Sequence, residues 1–155
     1  MKFKVSKMIA TLFYIGFLTK MPGTLGSMVG LFFGALIIMY FKYEVFLMFF
    51  LMITAIGLYS VNQYQKTAGK SDKSEIIIDE FVGQLVPLMI IDINLVNLFL
   101  SFFLFRFFDI LKFYPANVID RKYSNYFGVI FDDIIAGIQA SLVILLFYFL
   151  YDKLQ

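Results

Sequence analysis

The chain contains neither cysteine nor histidine. Without cysteine it has no disulfide bond and no thiolate for a metal site. The two absences together exclude a cysteine nucleophile, phosphohistidine chemistry, a histidine general base and an ordinary zinc site. Any chemistry that the protein performs must therefore use Asp, Glu, Lys, Arg, Ser, Thr or Tyr.

Charged residues are also sparse, at 15% of the 155 residues, whereas 61% are hydrophobic and 21 are phenylalanine. A soluble domain is about half apolar, and a globule of this size cannot hide so much apolar surface. We therefore expect lipid to be part of the solvent, around a single membrane-embedded domain that spans residues 1–155. No small-x-small cleavage pattern follows the first apolar run, so we expect the start of the chain to be retained.

The apolar segments predict an all-α integral membrane bundle of about four inserted helices plus an N-terminal interfacial helix. Residues 3–19 have an apolar part of only about 12 residues, whereas a span needs about 20. Spanning candidates follow at 24–41 and 45–61, then a tilted or re-entrant hairpin at about 79–91 and 94–111, and a last helix at about 128–151. The segments 62–75 and 112–127 are predicted to be extramembrane loops.

The basic residues favour one orientation of these helices. With the N-terminus in the cytoplasm, eleven of the 13 Lys and Arg residues fall on or near the cytoplasmic side, and only Lys42 and Lys153 fall outside. Cytoplasmic loops of membrane proteins are enriched in Lys and Arg. We expect a multi-pass membrane protein with its N-terminus in the cytoplasm and its C-terminus outside.

This topology brings five acidic residues to one level near the cytoplasmic face: Asp79, Glu80, Asp109, Asp132 and Asp133. Acids inside a membrane cost about 2.5–3.5 kcal/mol each, and five unpaired carboxylates repel one another. Either some of them stay protonated or a cation holds them. Because an all-oxygen cluster suits a hard ion such as Mg²⁺, the five acids are predicted to be catalytic and to bind the metal.

Basic and hydroxyl side chains are predicted to lie beside these acids. Arg106 and Lys112 share a helix face with Asp109, and they offer a bidentate grip and a point charge for phosphate. A helix that begins near Thr24 and Ser27 presents free N–H groups and two hydroxyls to an anion. The combination predicts phosphate chemistry on a lipid headgroup.

Simple structural roles compete with some of these functional ones. Gly26, Gly30 and Gly34 recur every four residues, which favours close helix packing over a phosphate cradle. Arg106 and Asp109 are also spaced for a plain intrahelical ion pair.

Four blocks of the sequence together resemble the signature blocks of the phosphatidylglycerophosphatase A family. They are GTLGS (23–27), DEFVGQ (79–84), FRFFDILK (105–112) and GVIFDDIIAG (128–137). The resemblance implies an all-helical, Mg²⁺-dependent inner-membrane enzyme that converts phosphatidylglycerophosphate to phosphatidylglycerol and phosphate. It places the acidic positions of the family on the same five acids and its basic positions on Arg106 and Lys112. A loop acid–base pair corresponds to Asp120 and Arg121, and Arg121 joins the predicted phosphate-binding residues.

Several alternatives stay open at this point. The nucleophile is either a metal-activated water or an aspartate that forms an aspartyl-phosphate; the absence of a haloacid-dehalogenase D-x-D motif favours water. Alternative functions are a CDP-alcohol phosphatidyltransferase-like enzyme, whose D-G-x-x-A-R pattern is missing, and a small cation transporter or ion-binding membrane subunit. The clustering of the acids at one face argues against transport. The expected partner is a membrane phospholipid substrate; no nucleic acid is expected, and no obligate protein partner can be inferred.

Overall fold

The computed structural model describes residues 2–68, 74–123 and 125–154, and within these ranges it contains helices and turns and no strand. The helices are α1 (Lys2–Ala10), α2 (Pro22–Tyr40), α3 (Tyr43–Ala68), α4 (Ile78–Leu88), α5 (Leu95–Leu111), α6 (Ala116–Lys122) and α7 (Tyr126–Lys153). A single 3-10 turn at Ile15–Phe17 lies between α1 and α2. The prediction of an all-α protein is confirmed.

Within the described ranges, three helices are long and apolar enough to cross a membrane: Pro22–Tyr40, Tyr43–Thr67 and Tyr126–Lys153. At most 33% of the apolar window in each helix is buried inside the protein, so most of this apolar surface faces outward. Such a surface is stable in lipid rather than in water. Helices α4 and α5 have 11 and 17 residues, or about 16 and 26 Å, which agrees with the expected short hairpin.

Helix α4 lies in the interior of the bundle, and ten of its eleven residues are buried. It packs mainly against α2 and α7. The approach to α2 is close, because a Cβ atom at Gly30 would lie 2.6 Å from the carbonyl oxygen of Phe81. The preference for a packing role over a phosphate cradle is therefore confirmed at Gly30.

Two boundaries near the N-terminal half differ from the sequence prediction. The first helix ends at Ala10 rather than running toward residue 19, because Leu12, Phe13 and Tyr14 adopt left-handed backbone conformations. Helix α3 continues to Ala68, beyond the predicted end at residue 61. Its polar last turns are held by packing, since Tyr64 is 3% exposed and its ring stacks on that of Phe3. Hydropathy alone carries no signal for such packing.

The predicted loop at 112–127 contains helix α6, and α7 begins at Tyr126. The side chain of Asn125 caps α7 by accepting hydrogen bonds from the backbone N–H groups of Phe127 and Gly128. This cap fixes where the last helix starts. The other predicted loop, 62–75, includes Lys70 and Lys73, which lie outside the described residues.

Candidate active site

Four helix ends meet at one end of the bundle: the N-termini of α2, α4 and α7 and the C-terminus of α5. They surround a pocket of about 400 Å³. The pocket is lined by all five predicted acids, and also by Thr24, Arg106, Lys112 and Asp120. The alternating direction of the helices thus gathers residues that are more than 100 positions apart in the sequence.

Three of the acids form a compact cluster, which we call the acid trio: Asp79, Glu80 and Asp133. One carboxylate oxygen from each lies within 4.8 Å of the other two. Three of their oxygens, Asp79 Oδ1, Glu80 Oε2 and Asp133 Oδ2, are buried without a hydrogen-bond partner among the described residues. Buried, unpaired carboxylates are costly. Their spacing and all-oxygen chemistry therefore fit a hard divalent cation.

The remaining two acids are paired with bases. Asp109 forms an ion pair with Arg106 one turn earlier on α5, so the plain intrahelical pair exists. Asp132 lies 2.5 Å from the ammonium group of Lys112, which also donates a hydrogen bond to Asp120 at 2.7 Å. The five predicted acids thus share one pocket but divide into a trio that forms no ion pair with the described residues and two base-paired carboxylates.

Hydrogen bonds to Ser27 and Asp109 orient the guanidinium group of Arg106. Its Nη1 atom donates a hydrogen bond to the Ser27 hydroxyl at 3.3 Å, and that hydroxyl donates to the carbonyl oxygen of Gly23 at 2.8 Å. Ser27 is fully buried and is not among the residues that line the pocket. It therefore holds Arg106, whereas Thr24, one turn earlier, lines the pocket itself.

Lys112 ends α5 in a left-handed conformation with φ 45°. For a residue other than glycine this conformation costs on the order of 1–3 kcal/mol, and it accompanies the reach of the ammonium group to Asp120 and Asp132. Burial opposes protonation of Lys112, but the hydrogen bonds to Asp120 and Asp132 outweigh it and hold the pKa of the lysine above its ordinary value. Lys112 is therefore a fixed positive charge at the pocket.

The two residues of the predicted loop acid–base pair also differ in their position relative to the pocket. Asp120 lines the pocket, whereas Arg121 is exposed on α6 and is not among the lining residues. A role for Arg121 in binding phosphate stays a prediction that this arrangement does not support.

The sequence reasoning missed one residue that lines the pocket, Gly23, and one buried polar residue on α4 that does not line it, Gln84. At Gly23, a Cβ atom would lie 2.3 Å from Glu80 Oε1 and 3.1 Å from both terminal nitrogens of Arg106. The available signal was its place at the start of the GTLGS block (23–27), from which only Thr24 and Ser27 were predicted to contact phosphate. Gln84 is fully buried one turn after Glu80, and neither polar atom of its amide has a partner among the described residues. Its signal was a polar residue within the apolar run 81–91.

The fold and the pocket define a class of protein: an all-helical membrane protein whose buried acids and bases meet in one polar pocket. The sequence profile described as Phosphatidylglycerophosphatase A matches residues 8–148. The chain belongs to the phosphatidylglycerophosphatase A family and is an enzyme of the phosphatase class.

Two curated relatives show how far the similarity extends. Phosphatidylglycerophosphatase A of Haemophilus influenzae is 34% identical over 138 residues, which cover 88% of this chain and 85% of that protein. Phosphatidylglycerophosphatase A of Escherichia coli K12 is 29% identical over 135 residues, which cover 86% and 78%. No solved structure matches the chain significantly.

Proposed function

We propose that the protein hydrolyses the terminal phosphate monoester of phosphatidylglycerophosphate, giving phosphatidylglycerol and phosphate, with Mg²⁺ as cofactor. The observation that carries the proposal is the acid trio, whose carboxylate oxygens lie within 4.8 Å of one another in the pocket that Arg106 and Lys112 also line. The names of the two relatives support the choice of lipid.

The acid trio, Asp79, Glu80 and Asp133, would hold the metal. Mg²⁺ prefers oxygen ligands and is usually bound through one or two carboxylates, keeping several waters, and the orphaned oxygens of the trio are of this kind. When bound, Mg²⁺ supplies positive charge against phosphoryl oxygens and makes a water molecule more acidic.

The chain's own bases would bind the phosphoryl group. Arg106, held in place by Ser27 and Asp109, would donate to two phosphoryl oxygens, and Lys112 would add a fixed positive charge. The N-terminus of α2 at Thr24 adds backbone N–H groups and a hydroxyl. These donors would stabilise the charge that develops as water bonds to phosphorus and the bond to the glycerol oxygen breaks.

Asp132 would accept the proton of the attacking water. One of its oxygens is held by Lys112, whereas Oδ1 is buried without a partner among the described residues. The glycerol oxygen that leaves takes up a proton from water in the pocket. This assignment separates Asp132, as a base, from the three acids that would hold the metal.

The site would face the cytoplasm of a bacterial inner membrane. Among the residues that the structure describes, Lys20, Lys66 and Lys122 lie at the ends of helices near the pocket, whereas Lys42 and Lys153 lie at the opposite ends. This distribution supports the orientation through the enrichment of Lys and Arg in cytoplasmic loops.

The test is product release by the purified protein in detergent. We expect phosphate release from phosphatidylglycerophosphate, its loss with EDTA, and its return with excess Mg²⁺. The same preparation should release no CMP from CDP-diacylglycerol and glycerol 3-phosphate. CMP release without phosphate release would assign the protein to phosphatidyl transfer, and phosphate release that EDTA leaves unchanged would remove the metal from the proposal.

A further inference from the structure

A groove of about 380 Å³ opens between α2 and α5 on the outside of the bundle. It is lined by α2 side chains from Met28 to Met39 and by Leu98 of α5, all of them apolar. Met28 and Met39 are 51% and 61% exposed, so the groove is open toward the surrounding solvent. Methionine side chains are flexible and adapt to irregular apolar ligands.

The groove lies on two of the helices that also line the pocket, α2 and α5. On α2, Thr24 lines the pocket, and Met28, Leu31, Ala35 and Met39 follow at steps of four, three, four and four residues. This spacing keeps all five residues on one face of the helix. One face of α2 is therefore polar where it lines the pocket and apolar beyond it.

Helix α5 also lines the pocket with a polar residue and the groove with an apolar one. Arg106 of α5 lines the pocket, and Leu98, about two turns earlier on the same helix, lines the groove. A molecule with a phosphate at one end and a hydrocarbon chain at the other matches this order of polar and apolar surface.

The length of the groove matches one leaflet of a bilayer. Eleven residues separate Met28 from Met39 on α2, which corresponds to about 16 Å. The hydrocarbon core of a bilayer is about 30 Å thick, so the groove reaches about half of that depth from the end that carries the pocket.

We propose that the α2–α5 groove holds one acyl chain of the diacyl lipid whose phosphate enters the pocket, so that the substrate arrives laterally from the leaflet on the side of the pocket. The proposal rests on the proposed function, which makes the substrate a membrane phospholipid. It adds the path of entry and the surface that binds the chain.

Two other apolar grooves do not have this relationship to the pocket. One lies between α1 and α3, at Ile9 and Tyr59, and neither helix contributes a residue to the lining of the pocket. The other lies between α5 and α7, at Val96 and Tyr151, at the ends of both helices that are remote from Lys112 and Asp132.

The first test compares substrates with long and short acyl chains. Leu36 lines the groove, and Leu36→Trp would fill part of it; Leu142→Trp on the lipid-facing surface of α7 is the matched control, because Leu142 is 61% exposed and lines none of the grooves described above. We expect Leu36→Trp to lower kcat/KM about tenfold for a dipalmitoyl substrate, mainly through KM, and less than twofold for a dihexanoyl substrate. Leu142→Trp should change neither. An equal effect of Leu36→Trp on both substrates, at an unchanged melting temperature, would overturn the proposal.

The second test reads binding without catalysis. The chain has no tryptophan, so each variant carries a single tryptophan. Phosphatidylglycerol with brominated acyl chains, titrated into detergent micelles, should quench Phe32→Trp, a change to a side chain of similar size at another residue that lines the groove, to saturation near one lipid per protein. It should quench Leu142→Trp only in proportion to the lipid fraction of the micelle. Quenching of both variants in proportion to the lipid fraction would overturn the proposal that the groove binds an acyl chain, even if the wild type is active. Saturable quenching with no hydrolysis of either substrate by the wild type would instead mean that the proposed function fails while the groove stands.

Discussion

The ammonium nitrogen of Lys112 lies 2.5 Å from a carboxylate oxygen of Asp132, and this contact joins the end of α5 to the second turn of α7. The Asp132 side chain is 4% exposed, so the lysine neutralises a carboxylate that water hardly reaches. The same contact distinguishes Asp132 from its neighbour Asp133, which belongs to the acid trio. Adjacent acids in one helix thus meet different partners.

Replacement of Lys112 by methionine should lower kcat for phosphate release by about 10²-fold or more, because removing one donor that stabilises developing charge costs about 10²–10³ in kcat. The variant would also leave Asp132 buried without its cation. Lys153→Met, an exposed change at the far end of α7, is the control and should stay within twofold of the wild type. A Lys112→Met enzyme within threefold of the wild type would remove Lys112 from the proposed site.

Lys112→Met should remain less active than the wild type at every pH from 6 to 9. The pKa of Lys112 is held above its ordinary value, which is about 10.4. A raised pKa keeps the lysine protonated, and its contribution complete, below that ordinary value; the contribution is lost only as the pH rises through the raised pKa. The measurement is the ratio of wild-type to variant kcat/KM across this range. A ratio that falls toward one by pH 8 contradicts a permanently charged lysine.

An alanine at position 23 should lower activity more than tenfold with little change in melting temperature. Its Cβ atom would lie 2.3 Å from Glu80 Oε1, and the long glutamate side chain would move away from the acid trio. Gly57→Ala is the matched control, because there the nearest atom is a terminal methyl carbon of Ile130 at 3.2 Å. That variant should stay active, since alanine favours a helix by up to about 1 kcal/mol over glycine. Equal activity of the two variants would show that Gly23 has no special role.

Mg²⁺ should raise the melting temperature of the wild type, and the acid substitutions should divide into two groups. Binding at 100 times the dissociation constant stabilises a protein by about 2.7 kcal/mol, or roughly 5–10 °C for a chain of this size. Asp79→Asn and Asp133→Asn should abolish this shift. Asp132→Asn should keep the shift and lose activity. Loss of the shift in Asp132→Asn would place Asp132 among the metal ligands instead.

The orientation in the membrane can be measured with single cysteines, because the chain has none. Lys66→Cys and Lys42→Cys are exposed positions at opposite ends of α3 and its connection to α2. A membrane-impermeant maleimide added to intact cells should label Lys42→Cys and leave Lys66→Cys unlabelled until the membrane is opened. The reverse pattern would place the pocket on the outer face.

Much of this arrangement follows from the sequence, because helix direction and charge are local signals. The positions and lengths of the apolar segments predict which helix ends lie on the same side of the membrane. Acids at those ends are then predicted to share one site. The division of the acids does not follow, because it depends on how each helix is rotated. A contact across the bundle sets that rotation for α7, where a Cβ atom at Gly83 would lie 2.7 Å from the backbone oxygen of Asp133.

The unknown rotation of α2 also explains why the sequence predicted both Thr24 and Ser27 to bind phosphate. Thr24 and Ser27 share the first turns of α2, and spacing alone cannot tell which of them lines the pocket. In the structure Thr24 lines the pocket, whereas the hydroxyl of Ser27 contacts Arg106 and the Gly23 carbonyl oxygen.

The acid trio is proposed to hold the Mg²⁺ at which the lipid phosphate is hydrolysed. The most direct measurement is the initial rate of phosphate release from phosphatidylglycerophosphate against Mg²⁺ concentration, for the wild type, Asp133→Asn and Asp92→Asn. Asp92 is an exposed acid in the turn between α4 and α5, at the opposite end from the pocket. The account predicts saturable activation of the wild type and of Asp92→Asn, and a rate at least 10³-fold lower for Asp133→Asn at every concentration. Normal, Mg²⁺-dependent turnover by a folded Asp133→Asn enzyme would contradict it.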